Sequence, residues 1–176
     1  MDLISQKEVY KKGSIVLTEK VFNSEGKDVV RVSLSLGKNS VLVIPIDDRG
    51  NFYLGQQKRG DSKESMLEFP NGGIEKDESE IQAAKRELSE ELGLDGDFAY
   101  IGKFRPFFAL VDLEVSVFVC RNANVQPEVE KLKPDFYENI ERRKFTESEI
   151  YDLIKAGKVK TSYFLSALSL YKANNF

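Results

Sequence analysis

Histidine and tryptophan are missing from this 176-residue chain, and cysteine occurs once, as Cys120. Without histidine the chain lacks the usual general base near neutral pH and the commonest transition-metal ligand. A single cysteine cannot close an internal disulfide and, with histidine absent, nearly excludes a structural zinc site. Excess charge of either sign is lacking as well: 26 lysines and arginines against 29 aspartates and glutamates give a net charge of -3. No global field then draws in a nucleic acid polymer or an anionic membrane, and an anionic ligand has to be met by a local site. Long apolar runs are absent too. The most continuous one, Val41 to Ile46, contains Pro45 and is far too short to span a bilayer. No basic segment leads into an apolar run near the N-terminus, so the expectation is a cytoplasmic protein with no membrane partner. What these absences leave for catalysis is carboxylate, lysine, tyrosine or hydroxyl chemistry, with a hard, oxygen-loving cation as the metal that remains open.

The length suits one domain, residues 1–176, with an ample core. Its first half reads as β structure. Ser14–Phe22, Val29–Leu36, Val41–Ile46 and Phe52–Gln56 are short segments rich in Val, Ile, Leu and Phe, separated by turn residues at 23–27 and 47–51. An antiparallel arrangement is expected. A helix from about Ser79 to Leu92 has both ends written in sequence: Ser79 and Gln82 form a capping-box pattern, and Gly93 suits a left-handed residue after the last turn. Further strands are expected over Phe98–Phe108, Leu113–Arg121 and Ile140–Phe145, with a long loop over Asn122–Lys133. Thr146 and Glu149 start a second helix that should stop at Gly157, and Phe164, Leu165, Leu168 and Tyr171 mark one face of a third.

At about 100° per residue, Ile81, Ala84, Leu88 and Leu92 fall on one side of the first helix, and Glu87, Glu90 and Glu91 share a patch beside it. Carboxylates so placed repel one another, and they lie near a helix C-terminus, where the dipole disfavours anions. Bound divalent cations would compensate, and carboxylate oxygens are the donors magnesium and manganese prefer. A solvated acidic face is the plain alternative. Just upstream, Glu68-Phe69-Pro70-Asn71-Gly72-Gly73-Ile74-Glu75 reads as a tight glycine turn where backbone can approach a ligand closely.

The spacing Gly72, five residues, Glu78, seven residues, Arg86-Glu87-Leu88, one residue, Glu90-Glu91, one residue, Gly93-Leu94 resembles a complete signature of the Nudix hydrolase family. Glu68-Phe69-Pro70 and Gln56-Gln57-Lys58-Arg59 resemble the branch of that family that hydrolyses ADP-ribose and nucleotide sugars. The resemblance implies an α/β fold, an α/β/α sandwich on a mixed sheet, preceded by N-terminal antiparallel strands. Residues 40–176 would form the core and residues 1–39 would serve dimerisation, giving a homodimer. It further implies that Glu87, Glu90 and Glu91, helped by the backbone carbonyl of Asn71, hold Mg2+ or Mn2+, and that Arg86 steadies the glutamates through charge-assisted hydrogen bonds. Glu78 would support the loop and the helix start.

The catalytic set implied is Glu90, Arg86 and a general base, for which Glu138 is the candidate on an acidic loop over 134–141. Glu128, Glu130 and Asp135 compete with it. Lys58, Arg59, Glu68 and Arg105 are the candidate contacts to substrate, surface charge being the alternative for the cations. Tyr100, Phe104, Phe107 and Phe108 could stack on a base or fill the core. Cys120 reads as a small buried hydrophobe. The proline-containing turn usual in ADP-ribose hydrolases is replaced by Phe108-Ala109-Leu110-Val111, which opens the choice of nucleoside diphosphate sugar. The expected activity is hydrolysis of the diphosphate bond in such a nucleotide-derived molecule, to a nucleoside monophosphate and a sugar phosphate. A nucleoside triphosphate pyrophosphatase and a catalytically silent nucleotide-sensing module are the alternatives.

Overall fold

The computed structural model describes residues 1–58, 64–126 and 140–175. The chain divides into two compact units, one of Met1–Asn39 with Arg105–Val115, the other of Ser40–Phe104 with Ser116–Phe176. Among the described residues no helix is long and apolar enough to cross a membrane.

In the first unit β1 (Asp2–Lys12), β2 (Ile15–Ser24) and β3 (Lys27–Ser35) form an antiparallel meander. The short β9 (Val111–Asp112) adds to β3 in parallel. The turn between β2 and β3 is closed by the Asn23 side chain, which accepts from the Gly26 N–H at 3.2 Å. Nothing in the sequence pattern had marked β1 as a strand. All eleven of its residues are exposed, so no buried face imposes an alternation, and the ladder to β2 alone defines it. Residues 106–108, the end of the strand expected over Phe98–Phe108, lie instead in a series of turns over 106–110 that clusters with this unit.

The second unit carries a sheet in the order β7 (Asn71–Gly73), β4 (Ser40–Pro45), β10 (Val115–Val125), β8 (Leu94–Phe104). A second sheet runs β11 (Glu141–Phe145), β5 (Phe52–Gln57), β6 (Met66–Glu68). The expected hairpin between β4 and β5 is real at its turn, where Asp47 organises residues 48–51. Past the single Ile46–Phe52 bridge, however, the two strands part into different sheets. β4 is buried at every position because both its faces are covered. Val41 and Val43 join Leu88, Leu92, Phe118 and Cys120 in a cluster beneath α1 (Glu80–Leu92). Leu42 and Ile44 alternate to the opposite face. In β5, likewise, Tyr53 joins the α1 cluster while Phe52 meets Tyr171 of α3 (Ser162–Ala173) edge-on at 5.4 Å. Phe69 stacks on Phe164 of the same helix at 4.2 Å. The result is the α/β/α arrangement with mixed sheets, the intervening α2 (Glu147–Lys155) packing on β11.

Helix boundaries follow their local chemistry. Ser79 and Gln82 form the reciprocal capping box of α1, and Gly93 ends it at φ 63°, a left-handed conformation that costs a side-chain-bearing residue steric strain. Thr146 and Glu149 do the same for the start of α2. Periodicity erred at Ile81, which stands 42% exposed in the first turn of α1, while Ala83 is fully buried instead. β10 runs on to Val125 and so takes residues 122–125 from the expected long loop.

Candidate active site

The stretch expected to be a glycine turn is a strand. β7 pairs antiparallel with β4, Ser40 opposite Gly73, Val41 opposite Gly72 and Leu42 opposite Asn71. The Val43 N–H donates to the Pro70 carbonyl at 2.9 Å, which sets the alternation of the ladder. By that alternation the Gly72 carbonyl turns toward β4, and the Asn71 carbonyl turns to the outer edge of the sheet. A hydrogen bond from the Asn71 side chain to the Phe69 carbonyl, 2.9 Å, braces the corner.

Against this strand lies the carboxylate face of α1. A Cβ added to Gly72 would fall 2.0 Å from Oε1 and 2.4 Å from Oε2 of Glu87, so only glycine lets the Glu87 carboxylate rest on the strand backbone. Arg86 ties the pieces together. Its Nε and Nη2 donate to the two oxygens of Glu78 at 2.9 and 3.0 Å, and Nη1 donates to Glu87 at 2.7 Å and to Glu90 at 3.1 Å. Nη2 also reaches the Gly73 carbonyl at 3.0 Å. Glu78 in turn accepts from the Glu75 N–H at 3.0 Å, which anchors the chain just ahead of the helix. The hydrogen bond to Glu78, opposed by burial and reinforced by Glu87 and Glu90, raises the Arg86 guanidinium above its ordinary value, so it stays a fixed cation.

Glu87 and Glu78 are largely buried, whereas the Glu90 side chain is 59% exposed and Glu91 is partly so. The last turn of α1 carries no basic residue to offset these anions, and Arg86 is the cation that offsets them. Among the described residues no three acidic, histidine or cysteine side chains are already gathered at ligand spacing. The donor chemistry nonetheless fits a hard divalent cation: Glu87, Glu90 and Glu91 offer carboxylate oxygens, and Asn71 offers an outward carbonyl beside them.

Of the candidate substrate contacts, Glu68 ends β6 and accepts from Gln57 Nε2 at 3.3 Å across the β5–β6 pair. Lys58 is exposed just past β5. Arg105 belongs to the first unit, where it pairs with Asp112 at 2.8 Å and lies over the Phe108 ring. Arg59 falls outside the described residues, and so do Glu138, Glu128, Glu130 and Asp135. The aromatic candidates divide: Tyr100 meets Phe118 and Phe104 meets Tyr163, both edge-on, while Phe107 and Phe108 are exposed. Cys120 is buried, and burial, helped by Asp95 and Asp97, pushes its thiol up to about 12, which leaves it inert as a nucleophile.

Two features escaped the sequence reading. The Ser40 hydroxyl donates to the Gly72 carbonyl at 2.5 Å, across a separation of 32 residues that no local pattern reveals. The two-pronged Glu78–Arg86 pair spans eight residues, and because Glu78 precedes the N-cap Ser79 the helix periodicity does not place it.

Comparison with known proteins bears on this arrangement. A family model described as NUDIX domain matches residues 37–164. An ADP-ribose pyrophosphatase of Bacillus subtilis (strain 168) is 29% identical over 138 residues, covering 76% of this chain and 74% of that protein. An 8-oxo-dGTP diphosphatase of Haemophilus influenzae (strain ATCC 51907 / DSM 11121 / KW20 / Rd) is 34% identical over 68 residues, 39% of this chain and 44% of the relative. A crystal structure of an ADP compounds hydrolase superposes with a TM-score of 0.83 at 20% identity, covering 97% of this chain and 91% of that one, a likeness of fold.

Proposed function

This chain belongs to the Nudix family of hydrolases, and from that premise we propose that it cleaves the diphosphate bond of ADP-ribose or a related nucleoside diphosphate sugar with Mg2+ or Mn2+, releasing a nucleoside monophosphate and a sugar phosphate. The observation that carries this reading is the docking of the Glu87 carboxylate on Gly72, with Arg86 locking Glu78, Glu87 and Glu90 to that strand. The similarity to an ADP-ribose pyrophosphatase across about three quarters of both chains supports the substrate class.

In this proposal Glu87, Glu90, Glu91 and the Asn71 carbonyl hold the cation. When bound it neutralises diphosphate charge and lowers the pKa of water. The chain's own residues supply position. Arg86 keeps the carboxylates from splaying as charge on the site changes, and its fork on Glu78 resists rotation. Glu68, Lys58 and Arg59 orient the nucleotide, and a carboxylate outside the signature helix, Glu138 first among the candidates, accepts the proton of the attacking water. Assembly as a homodimer through residues 1–39 is part of the same proposal. It is supported by the exposed apolar side chains Leu3, Ile4, Val9 and Tyr10 on β1 and Val30 on β3.

A panel of ADP-ribose, nucleoside diphosphate sugars and nucleoside triphosphates, each with Mg2+ and then with Mn2+, tests the substrate class. Preferred turnover of the sugar-linked diphosphates is expected. Preference for triphosphates, with pyrophosphate as product, would favour the reading raised by the similarity to an 8-oxo-dGTP diphosphatase.

A further inference from the structure

We infer that Ser40, outside the Nudix signature, is a positioning residue for the cation site, its hydroxyl fixing the Gly72 peptide on which the Glu87 carboxylate rests. The inference depends on the proposed role of Glu87 as a metal ligand. β7 is three residues long, lies at the edge of its sheet and contains two consecutive glycines, the residues freest to rotate about the backbone. A strand so short and so free is poorly held by its ladder alone. It is fastened from two directions instead. The Gly73 carbonyl is held by Arg86 of α1 at 3.0 Å, and the neighbouring Gly72 carbonyl is held by Ser40 of β4 at 2.5 Å.

Fixing two successive carbonyls fixes the peptide plane between them and, through Gly72, the surface that Glu87 contacts. Asn71, whose carbonyl is the backbone donor in this reading, is linked directly to that same Gly72. Ser40 is itself 8% exposed and begins a fully buried strand, so the hydroxyl is held on its acceptor by packing. A longer polar side chain at position 40 could not put an oxygen at that distance without displacing β7, and alanine would leave the glycine pair with Arg86 on the α1 side and only the short backbone ladder on the β4 side. A purely structural role for the hydroxyl would change stability and leave metal affinity untouched, which makes the two separable.

The test is Mn2+ binding by calorimetry and electron paramagnetic resonance on the full chain, for the wild type, Ser40→Ala, Ser40→Thr and Glu87→Gln, with folding followed by circular dichroism. Ser40→Ala is expected to weaken Mn2+ about tenfold while staying folded, the usual scale for loss of a support behind a metal ligand. The concentration of Mn2+ needed for activation should rise by the same factor, with KM for substrate at saturating Mn2+ unchanged. Ser40→Thr, which keeps the hydroxyl, should restore most of the affinity. If Ser40→Ala does not fold, Ser40→Cys, close in volume with a far weaker donor, takes its place and should show the same loss. A folded Ala or Cys variant with wild-type Mn2+ affinity would overturn the inference, as would a folded Thr variant no better than Ala. Wild-type affinity in Glu87→Gln, or no Mn2+ binding by the wild type, would overturn the metal reading and this inference with it.

Discussion

β1 and β4 are both regular strands, but all eleven residues of β1 are exposed and all six of β4 are buried. β4 is specified three times over: by its ladders to β7 and β10, by the α1 cluster on one face, and by the apolar layer on the other. β1 is specified once, by its register with β2. What separates them is connection to chemistry. Through Ser40 and the β7 ladder, β4 reaches the strand on which the Glu87 carboxylate of α1 rests, so a change there propagates into the site. β1 presents Leu3, Ile4, Val9 and Tyr10 to its surroundings, a surface that an additional copy of the chain would cover.

The sharpest way to break the contrast is at Gly72. Gly72→Ala places a methyl 2.0 Å from Oε1 of Glu87, so the carboxylate at the end of that side chain must swing off the strand and give up its place on the site. We expect kcat to fall by about 100-fold or more in steady-state assays, with the fold retained by circular dichroism. Next in size is Arg86→Lys. It keeps one charge but loses the fork that makes five hydrogen bonds to Glu78, Glu87, Glu90 and Gly73. Activity should drop roughly tenfold or more, and added salt should not restore it, because the loss is one of geometry.

These two residues also show what was legible in the sequence. The signature spacing pointed to Arg86, Glu87 and Glu90, and the caps Ser79, Gln82 and Gly93 bounded their helix, since capping is local chemistry repeated in any context. The glycine segment was legible as a close-approach site but misread as a turn, because its strand character comes from β4, more than 25 residues upstream. β1 was missed for the opposite reason. With no buried face there is no period to read, and Lys7, Glu8, Lys11 and Lys12 give it the look of a solvated segment. The parting of β4 from β5 was equally hidden, since turn chemistry at 47–51 fixes the hairpin bend but says nothing about which sheet each strand then joins.

A smaller effect is expected from the exposed side of the comparison. Deleting residues 1–12 removes β1 and should convert a dimer to a monomer in light scattering, while the melting transition of the second unit moves little. A dimer that survives the deletion would move the proposed interface off β1. Smallest in activity, though measurable in stability, is Asp47. Burial alone would raise its carboxyl, but the Asn51 side chain and N–H, Lys144 and the Arg49 N–H outweigh burial and hold it far below the usual carboxylate range. A carboxyl depressed on folding stabilises the fold fully above its ordinary value, about pH 4, and loses that contribution as pH falls below it. Asp47→Asn should therefore cost about 1–3 kcal/mol at neutral pH and less in acid, flattening the acid limb of a stability–pH curve, with kcat nearly unchanged.

The central claim is that the carboxylates of α1, with Glu87 seated on Gly72, support metal-dependent cleavage of a sugar-linked nucleoside diphosphate. Its most direct test is to incubate ADP-ribose with the protein and Mg2+, and to quantify AMP and ribose phosphate for the wild type, the wild type after chelation, and Glu90→Gln. The account predicts equimolar formation of both products by the wild type, none after chelation until the metal is restored, and a loss of orders of magnitude in Glu90→Gln. Undiminished product formation after exhaustive chelation, or full activity in Glu90→Gln, would contradict it.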